Sequence, residues 1–102
     1  MEEKVIAVIC GNAREVRRAW YKIFIELRKK PMLWKHDFGL KWITGRKGDT
    51  TVTYKFYLPD LKTMMVEQWF DEVIWYGTVK SHPKYRDVID YVRLHSRKVG
   101  EF

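Results

Sequence analysis

The chain is 102 residues long, enough for one domain with a modest core and too short for two. Hydrophobic residues make up 46% and aromatics 16%, which excludes a disordered chain; the single cysteine excludes an internal disulfide and a cysteine-based zinc cluster. A formal net charge of +7, from 20 Lys and Arg against 13 Asp and Glu, points toward a polyanionic partner.

The start Met1-Glu2-Glu3-Lys4 is acidic, and the apolar run behind it is too short for a signal peptide or a membrane span. An intracellular, cytoplasmic protein with no membrane partner is expected. Val5–Cys10 is uninterrupted and rich in β-branched residues, as an interior strand would be. Val5, Ala7 and Ile9 point to one side of it, and Ile6, Val8 and Cys10 to the other. Gly11 ends the strand. Asn12 caps a helix, and Glu15 three residues on completes a capping box. That helix is expected to run to about Lys30, stopped by Pro31, with Val16, Trp20, Ile23 and Leu27 as its buried stripe.

Pro31 to Gly39 reads as a loop carrying Trp34 and His36. Leu40–Gly45 and Thr50–Leu58 read as strands around the hairpin turn Arg46-Lys47-Gly48-Asp49. In the second of them Val52, Tyr54, Phe56 and Leu58 share one face, and Thr51, Thr53, Lys55 and Tyr57 the other. Asp60 is the expected cap of a short helix with Leu61, Met64, Met65 and Trp69 on its apolar side. Asp71–Thr78 reads as a strand whose Val73 and Trp75 oppose Ile74 and Tyr76. Ser81 and Pro83 open a final helix over residues 82–98, with Tyr85, Val88, Ile89 and Val92 as its apolar stripe.

This order predicts an α+β fold: a ferredoxin-like βαββαβ domain with an extra C-terminal helix. It would form one domain over residues 1–102, with two pseudo-symmetric halves at about 4–46 and 50–78. The alternative is a small doubly wound α/β sheet with Val5–Cys10 and Asp71–Thr78 as parallel centre strands. Both faces of those two strands are apolar, so something must cover the second face: the C-terminal helix, a second subunit or a ligand.

Two segments resemble the signatures of the RNA-recognition motif. Val8-Ile9-Cys10-Gly11-Asn12-Ala13 is similar to its first-strand signature, with Ile9 in the place of the aromatic. Lys47-Gly48-Asp49-Thr50-Thr51-Val52-Thr53-Tyr54 is similar to its third-strand signature, with Asp49 and Thr51 in the place of the two inner aromatics. The resemblance implies the fold, and the missing rings remove the base-stacking platforms that such a domain uses.

Asn12 and Gln68 are the only side-chain amides, and charged residues reach 32%, a bias suited to high temperature. In length, charge and amide shortage the chain is similar to small orphan proteins of viruses that infect hyperthermophilic archaea, which implies the host cytoplasm.

The three histidines, His36, His82 and His95, have no metal-ligand spacing, and the carboxylates show no nuclease pattern. No cofactor, metal or catalytic group is expected. The expected function is recognition of a protein or extended peptide through a sheet face, a strand edge or a groove, with Trp42, Thr51, Thr53, Lys55 and Tyr57 as contact residues. A homodimer is a further candidate partner. The alternative is sequence-nonspecific nucleic-acid binding. It would use Arg14, Arg18, Lys22 and Lys29 on one helix face, with Arg46 and Lys47 at the hairpin turn. The Gly11 junction, with Arg14, Arg17 and Arg18 behind it, is a weaker candidate for a phosphate site.

Overall fold

The computed structural model describes residues 2–30, 32–60, 70–79, 85–94 and 96–101. The expected short helix at 61–69 and the cap at Ser81 and Pro83 lie outside them.

Among the described residues, six strands and two helices follow one another as β1 (Glu2–Cys10), α1 (Ala13–Arg28), β2 (Leu33–Asp37), β3 (Trp42–Lys47), β4 (Thr50–Tyr57), β5 (Phe70–Tyr76), α2 (Arg86–Leu94) and β6 (Ser96–Glu101). All six strands join in one sheet of order β2-β3-β4-β1-β5-β6. β1 is parallel to β4 and to β5, and β5 to β6, while β2, β3 and β4 run antiparallel to one another in turn.

Helices and strands therefore mix as an α+β chain should, but the strand order is not ferredoxin-like. A ferredoxin-like sheet pairs its strands antiparallel on both sides of β1; here β1 has a parallel partner on each side. Each parallel join needs a long crossover, and two faces are available to receive them.

Each face has its own core. Val8 and Cys10 pack with Val16, Ala19, Trp20, Ile23 and Leu27 of α1, and with Ile43 and Phe56. Ala7 and Ile9, one step along the pleat, pack with Val73, Trp75 and with Val88, Ile89 and Val92 of α2. Both apolar faces of β1 are thus buried, α2 covers the face shared with Val73 and Trp75, and Ile74 and Tyr76 on the other face of β5 are half-buried. Ile9, at a position where an RNA-recognition motif offers a ring, is fully buried.

The hairpin forms, with Thr44 opposite Thr53 and Gly48 at φ 61° in the turn, but its first strand is Trp42–Lys47 and not Leu40–Gly45: Arg46 and Lys47, expected in the turn, pair with Thr51 and Thr50. Two further segments depart from the sequence reading. Leu33–Asp37 is a strand, not a loop, because it pairs along the outer side of β3. The final helix ends at Leu94, and Ser96–Glu101 forms a strand beside β5. Ser96 marks the change: its hydroxyl donates to the Val92 carbonyl, satisfying the helix end.

Candidate functional site

α1 is set by its cap and its stripe. The Asn12 side chain accepts from the Glu15 N–H at 2.9 Å, as the capping box requires. Glu15 does not return the bond to Asn12. Its carboxylate accepts from the Gly11 N–H at 2.9 Å and reaches across to the β5 end, accepting from the Thr78 N–H at 2.9 Å and the Thr78 hydroxyl at 3.1 Å. The junction singled out for phosphate is therefore filled by the chain's own carboxylate. Tyr85 adds a hydroxyl bond to the Gly11 carbonyl. The carboxyl ends of β1 and β5 are fastened together at this point.

With Val16, Ala19, Trp20, Ile23 and Leu27 inward, α1 turns Arg14, Arg18, Lys22 and Lys29 outward, all exposed. Their spacing of i, i+4, i+8 and i+15 makes one ridge, as the sequence predicts. Lys29 meets Glu26 at 3.5 Å.

A second stripe flanks the ridge on the side toward β2. It holds Arg17, Tyr21, Phe24 and Arg28, at i, i+4, i+7 and i+11. Trp20, 3% exposed, is its hub. Phe24 stacks on Trp20 with ring centroids 4.9 Å apart; His36 from β2 and Phe38 from the next turn meet Trp20 edge-on at 5.6 and 5.3 Å. Tyr21 and Phe38 lie 5.5 Å apart, and Phe24 and His36 4.6 Å. Tyr21 is 46% exposed and His36 is exposed, while Phe24 and Phe38 are half-buried.

Cations lie over these rings. The Lys41 ammonium sits 3.7 Å from the Phe38 centroid, the Arg28 guanidinium 5.5 Å from that of Phe24, and Arg17 6.0 Å from that of Phe38. Lys41 adopts a left-handed backbone, φ 58°, and its ammonium donates to the Phe38 carbonyl at 2.6 Å. The surface therefore alternates rings and positive charge over the α1–β2 side of the molecule.

The residues expected to contact a peptide fall on the opposite sheet face. Trp42 pairs with Lys55, and the Thr53 hydroxyl meets that of Thr44 at 3.2 Å. Trp42, Thr51, Thr53, Lys55 and Tyr57 are all half-buried. Near them, Glu3, Leu33, Lys35, Thr44, Arg46 and Thr51 line a groove of about 560 Å³. It crosses the sheet face from β1 to β2, and the outer side of β2 pairs with no described strand. Arg46 and Lys47 stand exposed at the hairpin tip, where the Arg46 Nε donates to the Gly48 carbonyl. Their strand, β3, belongs to the sheet and not to the α1 ridge, so the six expected phosphate contacts form two groups.

Sequence reasoning located the ridge and missed the rings. The spacing of Arg17, Tyr21, Phe24 and Arg28 was the available signal for the stripe on α1. His36 and Phe38 join it only because β2 is a strand. Among the described residues, no group of three His, Cys, Asp or Glu is placed to hold a metal, and no helix is long and apolar enough to cross a membrane.

No family model matches the chain, and no curated protein matches it in sequence. Among solved structures it is similar to the large terminase of a thermophilic bacteriophage, with a TM-score of 0.74 and 10% identity over 99% of this chain and 26% of that one. The same terminase in complex with ADP gives a TM-score of 0.73 at 8% identity, and in complex with ATP-gamma-S 0.67 at 7%. The chain spans about a quarter of the terminase's length. The likeness is one of fold alone, over 99% of this chain: the described strands and helices are an arrangement found within a larger protein.

Proposed function

We propose that the protein is a non-catalytic, sequence-nonspecific nucleic-acid-binding module that works through the α1–β2 side. The observation that carries this reading is the interleaving of Arg17, Arg28 and Lys41 with the rings of Phe24 and Phe38, next to the ridge of Arg14, Arg18 and Lys22. Phosphates need cations spaced along a line, and bases need ring or guanidinium faces beside it. A helix of 16 residues gives a line about 24 Å long. The overall charge of +7 supplies long-range attraction of the same sign.

The nucleotide ligands of two of the similar terminase structures find no support here. The turn after β1 holds one glycine, and the Gly11 N–H already serves Glu15.

A second reading, recognition of an extended peptide, is favoured by one specific observation. β2 presents an outer side with no described partner strand, where a peptide could add to the sheet, while the groove lined by Leu33, Arg46 and Thr51 lies over the sheet face. Trp42, Thr51, Thr53, Lys55 and Tyr57 would then bear on specificity from the adjoining face.

A gel-shift titration over a range of salt separates the two. The nucleic-acid reading expects retardation of DNA or RNA at low salt, lost steeply as salt rises, and weakened when Arg14, Arg18 and Lys22 are changed together to Gln. No shift at low salt would overturn it. In that event a peptide-array screen against the intact protein, with Lys35→Pro to block pairing at β2, tests the second reading.

A further inference from the structure

Resting on the nucleic-acid reading, we infer that the α1–β2 surface selects single strands over duplexes by stacking bases on the exposed rings of Tyr21 and His36. A duplex offers phosphates to a basic ridge but keeps its bases paired and stacked inside. A single strand offers both. Cations alone would favour the duplex, whose phosphate charge is denser, whereas accessible rings beside them favour the single strand.

The two rings are suited to this by how they are held. Tyr21 is 46% exposed, yet one side of it is braced by Phe38 at 5.5 Å and by Trp20 edge-on at 5.2 Å. His36 is braced by Phe24 at 4.6 Å and by Trp20 at 5.6 Å. Both rings thus rest on the buried indole of Trp20, so a stacking base would meet surfaces already held in place. Arg17 and Arg28 lie at the two ends of the stripe, over Phe38 and Phe24. A guanidinium can keep its ring contact on one side and stack or pair with a base or phosphate on the other. The nearby carboxylates are engaged: Glu26 meets Lys29, and Asp37 accepts the Leu40 N–H. Exposed charge around these rings is mostly positive, with Arg17, Lys22, Arg28 and Lys29 against Glu26, which suits a polyanion.

The test compares a 20-nucleotide single strand with the duplex of the same sequence, at equal salt, by fluorescence anisotropy. The wild-type protein should bind the single strand more tightly. Tyr21→Ala should lower single-strand affinity by about 5- to 150-fold, the span expected for one lost stacking contact, and leave duplex affinity unchanged. Tyr21→Phe, which keeps the ring, should retain wild-type affinity. His36→Ala reads the second ring independently if Tyr21→Ala does not fold. Equal affinity for both forms, with no effect of either ring variant, would overturn the inference and leave nucleic-acid binding standing. Failure to bind either form would remove the underlying reading as well.

Discussion

Glu15 joins three segments through one carboxylate: the end of β1 at Gly11, the start of α1, and the turn after β5 at Thr78. Gly77 sits beside it at φ 74°, and a Cβ there would collide with the Glu15 carboxylate. Glu15→Ala leaves the Gly11 and Thr78 N–H groups without this acceptor, and about 1–3 kcal/mol of stability should go with it, read by chemical denaturation. A similar close approach shapes Gly45, where an added Cβ would run into the Trp34 ring. Trp34 is anchored by its indole N–H on the Lys30 carbonyl, so Gly45→Ala should destabilise by about 1–3 kcal/mol through overpacking. Cys10 is fully buried, and burial, with the Glu15 charge second, pushes its thiol up to about 12. The native thiol should therefore resist alkylation at pH 8 and react only on unfolding. An unfolded thiol ionises near 9.0, so the folded state holds its proton more tightly, and this group's contribution to stability falls as pH rises from about 9 to about 12.

At the scale of elements, local signals carried α1, β1 and the β3–β4 hairpin. The cap at Asn12, the stripe Val16, Trp20, Ile23 and Leu27, and the alternation of β1 all appear in the structure where the sequence places them. β2 did not announce itself. Leu33-Trp34-Lys35-His36-Asp37 is short and mostly polar, and it is a strand because β3 offers it a partner. β6 was hidden for a related reason: Arg97 and Lys98 extend the helical pattern of α2, while the bonds that make a strand of them come from β5, far away in sequence. The candidate site divides the same way. The ridge lies in one helix and is legible by periodicity; the ring cluster needs β2 to deliver His36 and is not. Trp20 is the test of how far α1 depends on that cluster. Trp20→Ala removes the hub and should cost about 3–5 kcal/mol, read as a fall in the denaturation midpoint, with loosening of Tyr21, Phe24 and His36 in ring proton spectra.

For the whole molecule, the decisive fact is that β1 lies inside the sheet with parallel partners on both sides and a helix on each face. That arrangement buries the strand whose signature resembles an RNA-recognition motif and moves any binding surface outward, to α1 and the β2 edge. It also predicts an order of protection. Amides of β1 should exchange with solvent most slowly, and those of β2, at the sheet margin, much faster; equal protection would contradict the strand order. A basic and aromatic surface that holds nucleic acid shows itself in the salt dependence of binding to a labelled single-stranded oligonucleotide. If Arg14, Arg17, Arg18, Lys22, Arg28 and Lys29 engage roughly four to six phosphates, log Kobs should fall linearly with log salt at a slope of about −3 to −4, and Arg14, Arg18 and Lys22 changed to Gln should flatten it. Binding that ignores salt, or a slope the triple variant leaves unchanged, would mean that these cations do not hold the phosphates.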